Sequence, residues 1–102
     1  MNERHVLYAQ LILSKYFTTS KSRGPFLAHD VITHVKTLAW IAKISIRKAE
    51  IREARKRLKI MSKCVNDVYL WTWTHETDPE EMWKQKSQEL FGGGNQDAGE
   101  RH

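Results

Sequence analysis

The side chains best placed to do chemistry lie in one run, "ISIRKAEIREARKRLKI" (residues 44–60), which holds seven Lys or Arg and two Glu. Within it Ile51, Ala54 and Leu58 recur at spacings of three and four residues, which predicts a helix with one buried stripe surrounded by cations. A focused basic patch of this kind is typical of proteins that bind a polyanion such as DNA. The alternative is a solvated helix face whose cations only maintain solubility, and charge alone leaves both interpretations open.

No comparable grouping of residues indicates catalysis or metal binding. The histidines are scattered along the chain at His5, His29, His34, His75 and His102. His29 and His34 are five residues apart, so they do not form the i,i+4 pair that a zinc site on a helix uses. The single cysteine, Cys64, has no matching histidine arrangement and is expected as a small buried residue. We therefore expect no enzymatic activity, no metal ion and no cofactor.

Length and charge narrow the class of protein further. The chain has 102 residues, which suits one compact domain, and a net charge of +5. Residues 43–63 hold nine Lys or Arg and two acids, whereas residues 76–102 hold three Lys or Arg and seven acids. One cysteine fits a reducing compartment, and we see neither a signal peptide nor an apolar run of about 20 residues. We expect a cytoplasmic protein with no membrane partner.

Hydrophobic periodicity predicts three helices before any strand. The first covers Val6–Phe17, with Gln10 and Ser14 on its polar side, and the second begins near Ala28–Asp30. Ser45 can cap a third helix, which then runs from Ile46 to Leu58. Trp40, on the second helix, is expected in the core or between helices.

After Leu58 the hydrophobic period changes from 3.6 to 2. The segments "KIMSKCV" and "VYLWTW" read as two strands joined by a two-residue turn at Asn66-Asp67. This turn predicts three cross-strand pairs: Val65 with Val68, Lys63 with Leu70, and Met61 with Thr72. The alternation predicts a core face made of Ile60, Cys64, Tyr69, Trp71 and Trp73. It directs Met61, Val65, Val68 and Leu70 away from the core.

A fourth helix is signalled by Asp78 as N-cap, Pro79 at the first position and Glu81 as the partner in a capping box. Its apolar residues are Met82, Trp83, Leu90 and Phe91. These residues either fold back on the first helix or form a homodimer. Of the two arrangements, we favour the homodimer. We expect a domain over residues 1–75, the fourth helix over residues 76–91 and a flexible tail over residues 92–102.

The order helix, helix, basic helix, hairpin is that of a winged helix-turn-helix. The stretch "AEIREARKRLKIMSKCVNDVYLWTW" (49–73) resembles the small winged-helix domains at the ends of replication primases and helicases of phages and other mobile elements. The matching positions are Ile51, Ala54-Arg55, Leu58, Ile60 and Trp71-x-Trp73. The order of elements predicts a mainly α fold with a small β-hairpin wing plus a C-terminal helix. The resemblance implies DNA binding. It also implies an accessory or regulatory role in the replication of a phage or mobile element.

The expected nucleic-acid-binding residues lie on the third helix and the wing: Arg47, Lys48, Arg52, Arg55, Lys56, Lys59 and Lys63. Arg52 and Lys56 are best placed to point into a groove of duplex DNA, and the remaining cations suit phosphates. Two alternatives stay open. One is a single-stranded DNA binder that stacks bases on Trp71 and Trp73. The other is a protein adaptor that keeps the winged-helix fold and uses its acidic last helix and the outward face of its wing.

Overall fold

The computed structural model describes residues 1–92, which form a mainly helical body with a small antiparallel sheet. In chain order the elements are α1 (Glu3–Ser20), β1 (Phe26–Leu27), α2 (Ala28–Ile41), α3 (Lys48–Arg57), β2 (Ile60–Val65), β3 (Val68–Trp73) and α4 (Pro79–Ser87). A π-helical turn, Gln88–Gly92, continues α4. The expected mainly α class with a β-hairpin is confirmed. The predicted flexible tail falls, apart from Gly92, on residues 93–102, which lie outside the described part of the chain.

Helix α1 is the centre of the body, because α2, α3 and α4 all pack against it. Leu13 and Phe17 on this helix are fully buried. Gln10 and Ser14, which we expected on a polar side, are also buried, since three neighbouring helices leave α1 little exposed surface. The Ser14 hydroxyl is satisfied within the helix by donating a 2.7 Å hydrogen bond to the Gln10 carbonyl.

Strand β1 was not expected from the sequence. It places Phe26 opposite Trp71 and makes β3 the central strand, in the order β1-β3-β2. Gly24 prepares this pairing with a φ of 101°, and a Cβ atom there would lie 2.7 Å from the Trp71 carbonyl oxygen. Only glycine fits so close to the sheet. A two-residue strand is too short to show a period of two, which explains why the pattern missed it.

Helix α3 begins two residues later than predicted, at Lys48, and its N-cap is Arg47. The prediction of Ser45 as the cap is wrong. The segment before α3 is extended, and this lets Ile46 enter the core at 7% exposure. The Glu50 carboxylate accepts a 2.9 Å hydrogen bond from the Arg47 backbone N–H and so stabilises the first turn. The predicted buried stripe of Ile51, Ala54 and Leu58 is confirmed, with each residue fully buried.

The β2–β3 hairpin has the predicted register at all three pairs. Its core face is confirmed at the base, where Ile60, Trp71 and Trp73 are buried. At the outer end the prediction is wrong, because Cys64 and Tyr69 are exposed. They share the side of the hairpin that packs on the body, but they lie beyond the edge of the body. The outward residues Met61, Val65 and Val68 are exposed as predicted, and Leu70 is partly covered.

Helix α4 folds back onto α1, which is one of the two arrangements expected for it. Met82 and Leu90 are buried by this packing. Pro79 occupies the first turn as predicted, but the Asp78 side chain makes no capping bond and pairs with Arg23 instead. The capping box is therefore absent from the start of this helix. Burial of Met82 and Leu90 removes half of the proposed dimer set from the surface.

Candidate nucleic-acid interface

The outward face of α3 carries the cations that we expected to read DNA. At 100° per residue, Arg52 and Lys56 lie opposite the buried stripe, and both are exposed. Lys48 is also exposed and lies beside Arg52 on the side toward the hairpin. Among residues 1–92, no carboxylate forms an ion pair with any of these three side chains. We call Lys48, Arg52 and Lys56 the α3 basic face.

A groove of about 590 Å³ separates α3 from the hairpin and is closed at one end by the start of α2. From α3 it is lined by Lys48, Arg52 and Arg55. The hairpin contributes Tyr69, whose ring is 58% exposed, and Asp67 at the turn. The remaining lining residues are Ala28, His29, Ile32, Ser62, Val68 and Trp71. This α3–hairpin groove thus combines cations with an exposed aromatic ring.

Arg55 differs from the cations of the α3 basic face because it is engaged within the protein. Its guanidinium donates a 2.7 Å hydrogen bond to the Ile60 carbonyl and lies 5.7 Å from the centre of the Trp71 ring. These contacts hold the end of α3 against the base of the hairpin. Arg55 was expected to contact DNA, and the contacts that the structure shows for it link α3 to β2 and β3.

Arg57 is the cation of α3 that is most fully paired. Its guanidinium donates hydrogen bonds of 2.8 and 3.0 Å to the two carboxylate oxygens of Glu3, and one of 2.9 Å to Glu53. These hydrogen bonds, of which those to Glu3 have the largest effect, raise the pKa of Arg57. In turn, the hydrogen bond from Arg57 is the main reason that the pKa of Glu3 is lowered. Arg57 therefore connects α3 to the start of α1, on the side of the helix away from the α3–hairpin groove.

Glu50 lies buried beneath the N-terminus of α3, at 3% exposure. Its carboxylate accepts hydrogen bonds from the backbone N–H groups of Asn2, at 2.8 Å, and Arg47, at 2.9 Å. His5 Nδ1 lies 3.6 Å away. The pKa of Glu50 is lowered, mainly by the hydrogen bond from the Arg47 backbone and further by the one from Asn2 and by the nearby charge of His5. These effects outweigh burial, which acts to raise the pKa. A negative charge here also suits the helix dipole, so Glu50 fixes where α3 begins.

The remaining predicted contacts are dispersed. Arg47 is exposed at the start of α3. Lys59 follows the helix in a left-handed conformation with a φ of 55°. The pKa of Glu76 is lowered first by a hydrogen bond from the Glu76 backbone N–H and then by the positive charge of Lys59. The charge of Lys59 is therefore partly compensated by this carboxylate. Lys63 alternates with Ser62 along β2 and so lies on the hairpin face that points away from the α3–hairpin groove.

Trp71 and Trp73 are only 3% and 2% exposed, so neither ring is available to stack on a base. The Trp73 indole N–H donates a 2.9 Å hydrogen bond to the Thr77 carbonyl, and its ring packs 5.5 Å from that of Phe17. The core interpretation of both tryptophans is confirmed. Tyr69 is the exposed aromatic residue on this side of the hairpin, and sequence reasoning missed it by assigning it to the core.

Residues 1–92 contain neither a candidate metal site nor a candidate membrane-spanning helix. No group of three or more His, Cys, Asp or Glu side chains comes together in a way that could hold a metal ion. No helix in this part of the chain has both the length and the apolar character needed to cross a bilayer.

Comparison with known proteins adds no relative. No protein-family model matches the chain, and neither the curated proteins nor the solved structures contain a significant match. The function is therefore inferred from the geometry of the α3 basic face and the α3–hairpin groove.

Proposed function

We propose that the protein is a non-enzymatic, winged helix-turn-helix DNA-binding protein that inserts α3 into the major groove of a duplex. The observation that carries the proposal is the α3 basic face, where Lys48, Arg52 and Lys56 are exposed and make no ion pair within residues 1–92. The major groove of B-DNA is wide enough to admit one α-helix. Uncompensated cations on such a helix are attracted to phosphates without first giving up a protein partner.

The arrangement of elements supports this assignment. α2 and α3 are consecutive helices, and the β2–β3 hairpin follows directly and stands beside α3. The sheet order β1-β3-β2 anchors the hairpin to the start of α2 through the pairing of β1 with β3. In this interpretation α2 and α3 are the helix-turn-helix pair and the hairpin is the wing.

The positions of the cations divide their expected roles. Arg52 and Lys56 lie exposed on the side of α3 opposite its buried stripe and are assigned to the base edges in the major groove. Arg47 and Lys48, at the start of α3, and Lys59, at its end, are assigned to phosphates on either side. Lys63 is assigned to the sugar-phosphate backbone of the DNA, from the hairpin face that points away from the α3–hairpin groove. An accessory or regulatory role in replication of a phage or mobile element rests on the resemblance of residues 49–73 alone.

Single-stranded DNA is the second candidate ligand, and Tyr69 is the observation that favours it. The ring is 58% exposed and lines the α3–hairpin groove together with Lys48 and Arg52. Stacking of a base on an aromatic ring, combined with cations for the backbone, is the usual mode of single-strand binding.

A titration separates the two ligands. Fluorescence anisotropy is measured with a labelled duplex and with one of its strands, each at about 50 and 200 mM salt. Neutralisation of three or four phosphates predicts that log Kobs for the duplex falls with log salt at a slope of roughly −2.7 to −3.6. Tighter duplex binding with that slope supports the proposal. Tighter single-strand binding that is lost in Tyr69→Ala would replace it with the second candidate.

A further inference from the structure

The end of α2 exposes an unusual amount of apolar surface. Trp40 is 78% exposed and Ile41 is 64% exposed, and Leu38 beside them is 38% exposed. Phe91, in the turn that follows α4, adds a ring that is 60% exposed. Single exposed apolar residues are ordinary, but a contiguous group marks an interaction surface.

This surface surrounds a groove of about 600 Å³ between α1 and α2. The walls are almost wholly apolar and include Tyr8, Leu11, Tyr16, Leu38, Ile41 and Phe91. Two basic side chains line it. Lys15 is held over the Trp83 ring, 4.6 Å from its centre, and burial lowers the pKa of His34, which favours its neutral form. We call this region, with Trp40, the α1–α2 apolar face.

We propose that a second copy of the chain covers the α1–α2 apolar face in a two-fold symmetric dimer. A two-fold interface uses the same surface on both chains, so that surface must supply both a protrusion and a recess. The α1–α2 apolar face has both, since Trp40 protrudes at the end of α2 and Ile41, its neighbour, lines the groove. Trp40 of each chain enters the groove of its partner.

The exposed apolar area is a substantial part of what a stable dimer buries. An aromatic side chain carries about 150–250 Å², so the exposed parts of Trp40 and Phe91 amount to roughly 200–350 Å². Ile41, Leu38 and the half-buried groove walls add to this area. A standard interface buries about 800 Å² on each partner, and these apolar residues would form its central part.

The C-terminal residues of the same chain are a poor alternative occupant. Phe91 borders the groove, and the chain continues for eleven residues after it in the sequence. Residues 93–102, "GGNQDAGERH", contain no apolar side chain larger than Ala and carry four ionisable groups. Such a sequence has nothing to bury in an apolar groove.

The dimer leaves DNA binding unobstructed. The groove of the α1–α2 apolar face and the α3–hairpin groove share no lining residue. Two copies joined through the first would therefore present two α3 helices, and DNA-binding dimers of this class engage two half-sites on one duplex. The proposal itself concerns only the assembly of the chain and does not depend on which DNA it binds.

The test is the molecular mass of the full chain by light scattering at about 100 µM, which populates any dimer of micromolar affinity. The wild-type chain is expected at twice its monomer mass of 12.0 kDa. Trp40→Glu removes the central anchor and is expected to raise the dimer dissociation constant at least about 30-fold. Because Trp40 is 78% exposed, the substitution leaves the fold intact, and circular dichroism checks this.

Met61→Glu is the matched control, because it places the same charge on an exposed apolar residue of the hairpin, 49% exposed. It is expected to keep the wild-type mass. Phe91→Glu is a second variant on the α1–α2 apolar face and is expected to weaken the dimer as well. A monomeric wild-type chain at 100 µM, or a dimer that survives Trp40→Glu with the fold intact, overturns the proposal whatever the result of the DNA titration.

Discussion

Neighbouring charges on α3 have different tasks because each meets a different surface. Glu50 turns inward and accepts backbone hydrogen bonds from Asn2 and Arg47, so it fixes where the helix starts. Arg57, on another side, is held by Glu3 and Glu53. Arg52 faces solvent, with no carboxylate of residues 1–92 in an ion pair with it. Inward and lateral charges secure the helix, and outward charges remain available to a ligand.

Glu50→Gln is expected to lower the free energy of unfolding by about 1–2 kcal/mol near neutral pH, because backbone donors lose a charged acceptor. The folded pKa of Glu50 lies below its ordinary value of 4.5. As the pH falls, the unfolded chain takes up this proton before the folded chain does, so the contribution is present above pH 4.5 and is lost as the pH drops through the folded pKa. Urea denaturation of both proteins from pH 7 to pH 3 measures this.

The difference in stability between wild type and Glu50→Gln should therefore shrink below about pH 4.5. Glu81→Gln is the control, since Glu81 is exposed on α4, and it should unfold like wild type throughout. A difference that stays constant from pH 7 to pH 3 would show that the charge of Glu50 is not what secures α3.

The sequence predicted which apolar residues of α3 are buried, but it could not predict how the cations of this helix are partnered. Burial follows from helical periodicity, which is local, and so Ile51, Ala54 and Leu58 were assigned correctly. Arg57 finds Glu3 at a separation of 54 residues, and only the packing of α1 against α3 creates that pair. Glu50 had a local signal, its place three residues after the N-cap, which the incorrect choice of Ser45 as cap concealed.

The elements differ in how much of their structure is local. The hairpin register follows from a two-residue turn, because Asn66 and Asp67 both adopt positive φ, and it was predicted in full. Strand β1 depends on Gly24 lying against the Trp71 carbonyl, a contact across the sheet that no sequence window contains. The end of the hairpin was misassigned because periodicity gives the face of Tyr69 and does not say how far the body extends beneath it.

Helix α4 depends on its contact with α1. Nine residues form a helix that is marginal alone in water, so its buried side chains must supply the stability. Met82→Ala is therefore expected to cost about 2–5 kcal/mol in free energy of unfolding, as for other buried large-to-small changes. Gln85→Ala, at an exposed position of α4, should leave the urea midpoint unchanged. An unchanged midpoint in Met82→Ala would mean that α4 is not docked on α1 in solution.

Over the whole molecule, charge and apolar surface are separated. The segment with the largest positive excess, residues 43–63, forms α3 and β2, and the acidic segment begins at residue 76, just before α4. The α1–α2 apolar face borders a different groove from the one beside α3. In our account one surface binds DNA and another pairs two chains. Helix α4 lines neither groove, although Phe91 in the turn that follows it borders the α1–α2 apolar face.

The most direct test of the central claim is duplex affinity of the double variant Arg52→Ala/Lys56→Ala, measured by anisotropy across a salt series. We expect affinity near physiological salt to fall at least about 30-fold, because each groove contact is worth about 1–3 kcal/mol. The salt slope should fall in magnitude by up to about 1.8 if the same cations also neutralise phosphates. The melting temperature should be unchanged, since both side chains are exposed.

The matched control Lys36→Ala/Lys84→Ala removes the same charge from α2 and α4 and should bind nearly as wild type does. Equal affinity of wild type and the α3 double variant, or an equal loss in both double variants, would contradict the claim that α3 reads DNA.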